Sequence, residues 1–373
     1  MGKKKIEIVY IVSGISRWIS FEWIVESLHK YPLNIRFIII NSSRYFQNYL
    51  LEHGVECAII RARANYQFLA AILKTAAILL KWRPDAVHTH FRDANIVGLS
   101  AAKIAGIRKR IHTRHHNTYH HDYARKGVLI DRYCNYLSTD IIAISNLVSE
   151  TLITKEKVQT SKIHVIHHGF ISALFSNPDP DEVNYLRLKY RINSNQRVIG
   201  VISRHIFGKG VQYIVQAFKQ ILEDYPEAIL FLANSHGYYS PAIKNLLKDV
   251  SRERYRWVTF EPRVCSLYSL FDVFVHTPVD REIEAFGQTY VEALLAGIPS
   301  IFTKSGIAHD FIQHNRNALV IPYKDSKGIE QSIYQLFNDE ALRTSLIRQG
   351  QEDTTKLFTF ETMMRQLNQA YLN

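Results

Sequence analysis

The stretch Val198-Ile-Gly-Val-Ile-Ser203 is followed by Arg204-His-Ile-Phe-Gly-Lys-Gly210, and a run with helical spacing begins at Val211. A short apolar run that ends in a glycine-containing loop predicts a buried strand, and the next segment predicts a helix. Strands that alternate with helices in this way build parallel sheets with helices on both faces.

The same alternation recurs along the whole chain. It predicts an α/β fold with two Rossmann-like, doubly wound parallel-sheet domains. The strand-like runs lie at 6–12, 34–40, 55–60, 85–90, 109–113, 140–144 and 162–167, and, after a break, at 198–203, 228–233, 257–260, 272–276, 299–303 and 318–321.

The break divides the chain. At 373 residues it is too long for a typical single core. The polar, proline-rich stretch 176–181 is typical of a linker. We therefore predict an N-terminal domain at 1–178, a C-terminal domain at 179–357 and a helix in 358–373 that packs back on the first domain. Ligands of such sheets bind at the carboxyl ends of the strands, which here predicts a cleft between two facing domains.

The charge is uneven. Residues 1–178 contain 24 Lys and Arg against 12 Asp and Glu, a net charge of +12, whereas 179–373 contain 22 of each kind. A basic domain beside a neutral one indicates an anionic partner, such as a membrane surface or an anionic acceptor. No nucleic-acid recognition motif accompanies the charge, so nucleic acid is not expected.

Two further patterns concern the cellular setting. Three widely spaced cysteines without a CxxC pair fit a reducing cytoplasm. An apolar stripe in 68–82 is interrupted by Lys74 and too short to span a bilayer, so it predicts a helix packed in the core. Its members are Phe68, Leu69, Ile72, Leu73, Ala76, Leu79 and Leu80.

Two basic residues follow the strand at 198–203. Arg204 can form paired hydrogen bonds with a phosphate, and Lys209 can reach the same group as a point charge. Together they could neutralise a diphosphate. The alternative is that Arg204 is a surface charge and Lys209 part of an ordinary turn before a helix.

Two carboxylates flank a second loop-to-helix junction, in Glu284-Ala-Phe-Gly-Gln-Thr-Tyr-Val-Glu292. A helix is expected to start near Gly287, where unpaired N–H groups and the helix dipole favour an anion. Carboxylates beside a phosphate site suit a ligand with both phosphates and diols. Eight helical residues span about 12 Å, which disfavours a glycosidase pair. Alternatively, both are surface charges.

Taken together, these segments resemble the retaining glycosyltransferases of family four, which have the GT-B architecture of two Rossmann-like domains. The resemblance covers nearly the whole chain, in the family's order. Its segments are Pro84–His90, Ile141–Ser145, Lys162–Gly169, Arg204–Gly210 and Glu284–Pro299.

The resemblance implies a role for each matching position. Arg204 and Lys209 would bind the donor diphosphate and stabilise it as a leaving group, Glu284 would hold sugar hydroxyls, and Glu292 the ribose. Arg263 would flank the nucleobase. The donor-binding residues so implied are Gly14, Arg204, Lys209, Arg263, Glu284, Phe286, Gly287, Gln288, Thr289 and Glu292, and the catalytic ones are Arg204, Lys209, Glu284 and His115.

The first half departs from the family's pattern at the loop after the first strand, where Gly14 stands without the usual second glycine. A histidine-rich segment, 112–121, follows a later strand. By resemblance, His115 would bond the donor sugar, with His116 as the alternative register. Imidazole is a common metal ligand, but neither a cysteine nor an HExxH pattern accompanies these histidines, so no metal site is expected.

The function so predicted is retaining transfer of a sugar from a UDP- or GDP-sugar to an acceptor hydroxyl, with no cofactor or metal. A glycan or lipid-linked acceptor in surface polysaccharide or glycolipid assembly, and an enzyme at the cytoplasmic face of the membrane, fit the basic first half. The alternatives are a nucleotide-sugar epimerase on the same scaffold and a non-catalytic protein that binds nucleotide sugars or polyanions.

Overall fold

The computed structural model describes residues 5–15, 17–41 and 44–372, and the chain divides into two compact units. Unit 1 contains the residues up to Gly169 and those from Glu361 on, and unit 2 is Phe170–Phe360. Each is built on one sheet of parallel strands with helices packed on it. The predicted α/β class with two Rossmann-like domains is confirmed; the cleft between them stays a prediction.

The sheet of unit 1 has seven strands in the order β3-β2-β1-β4-β5-β6-β7. The strands are β1 Ile6–Ser13, β2 Leu33–Ile40, β3 Cys57–Ile60, β4 Ala86–His90, β5 Lys109–Arg114, β6 Asp140–Ala143 and β7 Ile163–Val165. The helices between them are α1 Ile19–Ser27, α2 Arg44–Glu52, α3 Phe68–Trp82, α4 Arg92–Ile104, α5 Tyr119–Tyr123, α6 Arg125–Leu137 and α7 Asn146–Thr154.

The sheet of unit 2 has six strands in the order β10-β9-β8-β11-β12-β13. They are β8 Val198–Ile202, β9 Ile229–Ala233, β10 Tyr255–Val258, β11 Val273–His276, β12 Ser300–Phe302 and β13 Leu319–Val320. The helices are α8 Ser172–Ser176, α9 Pro180–Lys189, α10 Val211–Asp224, α11 Ser240–Leu246, α12 Val264–Tyr268, α13 Gln288–Leu295, α14 Ala308–Phe311, α15 Ser326–Asn338 and α16 Glu340–Leu357.

Burial explains why these runs form strands. Every residue of β4 and β9 is buried, because helices cover both faces of a parallel sheet and leave no side of a central strand open to solvent. β9 is apolar throughout, whereas β4 also buries His88, Thr89 and His90. In unit 1, Val9, Ile11 and Val87 pack with α3 and α4 into one core. The polar residues that line up at the carboxyl ends of the strands are thereby placed at one edge of each sheet.

The division between the units falls at Gly169, earlier than the boundary expected at 178. Phe170 pairs with Thr359 in a β-bridge, and α8 packs against α12 and α13, so 170–178 belong to unit 2. The stretch expected to be a linker includes the start of α9. There the Asp179 carboxylate accepts a hydrogen bond from the Asp181 N–H and caps the helix.

The last helix, α17 Phe360–Leu372, contributes all but its first residue to unit 1. The Tyr371 hydroxyl lies 2.6 Å from that of Tyr10 on β1 and 2.8 Å from His88 Nδ1 on β4. All three side chains are buried. The second His88 nitrogen, Nε2, lies 2.8 Å from the Thr113 hydroxyl, so one hydrogen-bonded chain joins α17 to three strands.

The expectation that α3 is packed in the core is wrong for one of its faces. Ala71, Ala76 and Leu79 are buried, but Leu69, Leu73 and Leu80 are 68%, 56% and 57% exposed. Both faces of this helix are apolar, so its periodicity identifies a stripe without telling which side is covered. None of the described helices is both long and apolar enough to cross a bilayer.

We expect Tyr371→Phe to destabilise unit 1 by about 1–3 kcal/mol, because the Tyr10 hydroxyl and His88 Nδ1 lose a partner while buried. Urea unfolding followed by circular dichroism measures the change. The neighbouring Leu372→Gln is the control, since Leu372 is 65% exposed and should leave stability unchanged. Equal stability of Tyr371→Phe and the wild type would show that the hydrogen bonds of the Tyr371 hydroxyl add little to unit 1.

Candidate donor-binding site

The loop after β8 carries both predicted basic residues. Arg204 is exposed, and within the described ranges no ion pair engages its guanidinium. Phe207–Lys209 form a turn of 3₁₀ helix, and Gly210 begins α10 in the left-handed conformation at φ 73°. A Cβ at Gly210 would lie 1.9 Å from the Thr277 carbonyl oxygen, so only glycine lets the loop approach the end of β11 this closely.

This close approach brings Lys209 to Glu284. The Lys209 ammonium forms an ion pair with Glu284 Oε1, and His276 Nε2 lies 2.9 Å from the same oxygen. His276 is the last residue of β11, and Glu284 lies in the loop that follows that strand. The three residues therefore meet at the carboxyl edge of the sheet, where ligands of such sheets bind.

Electrostatics fixes the charge of this cluster. Burial alone would raise the pKa of Glu284, but the positive charge of Lys209 and the hydrogen bond from His276 outweigh it and hold the pKa well below its usual range. Burial lowers the pKa of His276, which is consequently neutral and donates through Nε2–H. Glu284 is thus an ionised carboxylate, able to accept further hydrogen bonds but unable to donate a proton.

The backbone of Glu284 is fixed by a segment that sequence reasoning missed. The Glu284 N–H donates to the Ser305 hydroxyl, which in turn donates to the Arg281 carbonyl, and both hydrogen bonds are 3.0 Å long. A Cβ at Gly306, which has φ 58°, would lie 2.6 Å from the Phe286 carbonyl oxygen and 2.7 Å from Glu284 Cβ. Residues 305–306 therefore pack against the loop that carries Glu284 and fix its backbone.

The predicted phosphate-binding turn lies where α13 begins. Gly287 is the N-cap with φ 86°, and Gln288 and Thr289 are the first helical residues. A Cβ at Gly287 would lie 2.7 Å from the Tyr290 ring. The helix start therefore requires glycine, and its first N–H groups can bind an anion. Phe286 is 3% exposed, so its side chain belongs to the core.

Glu292 is buried on α13, and its Oε2 accepts a hydrogen bond of 2.8 Å from the Tyr268 hydroxyl. Burial raises the pKa of Glu292 to about 7, and the Tyr268 bond opposes this only in part. Arg263 lies at the start of α12, with its guanidinium 3.3 Å from Glu182 and over the Tyr185 ring. Each ligand-binding role of these two residues stays a prediction.

In unit 1, His115 follows β5 and contacts His90, at the end of β4, with His90 Nδ1 3.0 Å from His115 Nε2. Burial and the nearby histidines lower the pKa of His90 and of His115, so both rings are neutral and share one N–H. His90 Nε2 is buried without a hydrogen-bond partner among the described residues. A buried N–H without an acceptor is rarer than an acceptor without a donor, so we assign His90 Nε2 as the unprotonated nitrogen. The His90 proton then lies on Nδ1 and is donated to His115 Nε2. His115 then holds its own proton on Nδ1 and can donate from there.

Gly14, after β1, has φ 65°, and among the described residues, its two chain neighbours apart, no atom lies within 4 Å of a Cβ built there. Position 16, in the loop that follows the first strand, lies outside the described residues. The space around Gly14 is compatible with a ligand's approach, and its donor contact stays a prediction.

Three further histidines of 112–121 bond to a buried pair of carboxylates: His116 and His120 to Asp131, and His121 to Glu156. Asp131 Oδ2 accepts from His120 Nδ1 at 2.7 Å and lies 3.2 Å from His116 Nε2, and these three groups have the spacing of metal ligands. The Arg114 guanidinium lies 3.0 Å from the same oxygen and opposes a cation there. Burial would raise the pKa of Asp131, but the His116 bond and the Arg114 charge lower it to about 2. The expectation of no metal stays a prediction.

Two protein-family models match this chain, one in each half. The family model described as "Glycosyl transferases group 1" matches residues 184–353, and the model "Glycosyltransferase Family 4" matches residues 37–172. The chain belongs to the group 1 glycosyltransferases. It is an enzyme of the transferase class, as predicted from its motifs.

Individual relatives of this glycosyltransferase agree. It is 25% identical over 361 residues to the capsular polysaccharide biosynthesis glycosyltransferase CapM of Staphylococcus aureus, covering 93% of this chain and 92% of CapM. It is 26% identical to the N-acetyl-alpha-D-glucosaminyl L-malate synthase of Bacillus anthracis, covering 81% and 78%. The structure of Anabaena HepE in complex with UDP and glucose has a TM-score of 0.83 at 19% identity, covering 98% of both chains, and supports the GT-B fold.

Sequence reasoning missed three residues of the glycosyltransferase's candidate site: His276, Tyr268 and Ser305. The sequence could have indicated His276, because it is a polar residue at the end of a buried strand, where ligands of such sheets bind. Tyr268 and Ser305 carried none, since a tyrosine in a short helix and a serine in a loop are common.

We expect Glu292→Gln to change how stability depends on pH. The unfolded chain releases this proton near pH 4.5 and the folded chain near pH 7, so the contribution of Glu292 to wild-type stability falls as pH rises between these values, by about 3 kcal/mol in full. The glutamine variant lacks this loss and should gain stability relative to the wild type from pH 5 to pH 8, measured by urea unfolding. Glu352→Gln removes the same charge from an exposed position of α16 and serves as the control. A pH-independent difference between Glu292→Gln and the wild type would contradict the raised pKa.

Proposed function

We propose that this glycosyltransferase moves a sugar from a UDP- or GDP-sugar to an acceptor hydroxyl with retention of the anomeric configuration. The observation that carries the proposal is the buried, ionised Glu284 held by Lys209 and His276 at the carboxyl edge of the unit 2 sheet. A fixed carboxylate is suited to accept hydrogen bonds from sugar hydroxyls. The start of α13 and the exposed Arg204 belong to the same unit and suit a diphosphate.

The chemistry requires charge stabilisation at the departing diphosphate. In this proposal Arg204 and the N–H groups after Gly287 supply it, together with Lys209, whose ammonium has donors beyond the one bonded to Glu284. No metal or other cofactor is needed in this scheme. The bond between the anomeric carbon and the phosphate oxygen breaks, the acceptor oxygen bonds to that carbon on the same face, and the acceptor proton passes to the departing phosphate.

We further propose that the acceptor is a glycan or lipid-linked glycan in polysaccharide or glycolipid assembly. The likeness to CapM, which acts in capsular polysaccharide biosynthesis, supports this context. The excess of positive charge in residues 1–178 supports peripheral contact with an anionic membrane at its cytoplasmic face.

Arg204→Ala should lower turnover by about 10²–10³-fold, since it removes one charge from the departing diphosphate. It should leave the thermal midpoint unchanged, because the side chain is exposed. Lys209→Ala is a poorer test, since it would strand the buried Glu284 carboxylate and destabilise the fold. Arg348→Ala removes an exposed arginine from α16 of the same unit and is the matched control. Unchanged turnover in Arg204→Ala would refute its assigned role.

A donor panel tests the reaction itself. UDP- or GDP-sugars should raise the thermal midpoint, and the nucleoside diphosphate should be released only when an acceptor is present. The anomeric signal of the product in proton NMR should match the donor's configuration. An inverted product would exclude retention. Conversion of the donor into an epimeric nucleotide sugar, without net release of the nucleoside diphosphate, would favour the epimerase alternative, and donor binding without turnover on any acceptor would favour a binding protein.

A further inference from the structure

One helix of unit 1 exposes an apolar face. Along α3 and the turn before it, Tyr66, Leu69, Leu73, Ala77 and Leu80 are exposed and recur at the spacing of one helical face. We call these five residues the α3 outer face. Tyr66 is 84% exposed and Leu69 is 68% exposed. The opposite face of α3 packs on α4, so the exposed leucines are not needed to attach the helix to its own unit.

The charged residues of the segment that contains this face are all positive. The segment 57–84 contains five basic residues and no Asp or Glu. All five basic residues are exposed, namely Arg61, Arg63, Lys74, Lys81 and Arg83. Lys74 and Lys81 lie next to Leu73 and Leu80 along the helix, and long lysine side chains can extend sideways while their apolar stems cover neighbouring apolar groups.

Leucines on one helix face, flanked by lysines along one edge of that face, indicate a lipid surface more than a protein surface. Protein interfaces are depleted in lysine and rely on aromatic and arginine anchors in shaped pockets, with leucine under-represented among their critical residues. A helix that lies in a bilayer interface has the opposite composition, with leucines facing the acyl chains and lysines near anionic headgroups.

The length of α3 excludes a spanning mode. Fifteen residues of helix extend about 22 Å, less than the roughly 30 Å of a bilayer's hydrocarbon core, and one side of the helix is already packed in unit 1. The helix can therefore lie on a membrane but cannot cross it.

We propose that the α3 outer face docks unit 1 onto an anionic phospholipid bilayer, with Leu69, Leu73 and Leu80 inserted among the lipids and the surrounding lysines and arginines on the headgroups. This assigns a surface and a binding mode to the membrane contact of the proposed function. None of the five residues of the α3 outer face belongs to the candidate donor-binding site. Membrane docking can therefore be tested separately from glycosyl transfer.

The test is sedimentation of the full chain with vesicles of phosphatidylglycerol and phosphatidylcholine, and with vesicles of phosphatidylcholine alone. The wild type should bind the anionic vesicles, more strongly at about 0.01 M than at about 1 M salt, since the Debye length falls from about 30 to 3 Å. Leu69→Gln with Leu73→Gln should weaken binding roughly tenfold or more at both salt concentrations. Glutamine retains helix propensity, and circular dichroism verifies the fold.

Lys74→Gln with Lys81→Gln should weaken binding about tenfold or more at low salt and reduce its dependence on salt. Leu188→Gln and Lys248→Gln are the matched controls, because both are exposed on unit 2, and both should bind like the wild type. Failure of the wild type to bind anionic vesicles, or unchanged binding by the α3 leucine variant, would overturn the proposal. Turnover on a soluble acceptor without vesicles should be the same in the α3 variants and the wild type, so a failure of the donor assignment is read separately.

Discussion

The candidate site depends on one buried carboxylate. Glu284 lies out of water, and a carboxylate in that position stays ionised only if a cation and hydrogen-bond donors compensate for its lost hydration. Lys209, in the loop after β8, supplies the cation, and His276, at the end of β11, supplies a hydrogen-bond donor. The left-handed Gly210 and the close contact of Gly306 follow from this need, since each lets backbone approach where a side chain would block the cluster.

The two acidic residues that bracket the start of α13 have opposite electrostatic environments. Glu284 is held ionised by its partners, whereas among the described residues the Glu292 carboxylate bonds only to the Tyr268 hydroxyl, so burial raises its pKa to about 7. At neutral pH, Glu292 can therefore donate as well as accept, unlike Glu284. Their similar appearance in the sequence concealed this difference, because it arises from neighbours that are distant along the chain.

The sequence predicted the sheets better than the site. Buried parallel strands are continuous apolar runs, and every strand of both sheets overlaps a predicted run; the edge strand β10, at Tyr255–Val258 against the predicted 257–260, coincides least well with its prediction. The Lys209–Glu284 pair joins residues 75 positions apart, and His90 meets His115 across 25, which no local pattern reveals. The α3 stripe failed for a related reason: periodicity reports that a face is apolar, not what covers it.

The contribution of α17 to unit 1 has a consequence for biosynthesis. The Tyr10 and Tyr371 hydroxyls, 361 positions apart, bond within one unit, although the whole of unit 2 is translated between them. At roughly 5–20 residues per second, a nascent chain waits some tens of seconds between the first strand and the helix that completes it. All seven strands of unit 1 are synthesised before unit 2, so its sheet leaves the ribosome with Tyr10 and His88 still lacking their partner on α17. Unit 1 can therefore complete this hydrogen-bonded chain only after nearly the whole protein has been synthesised.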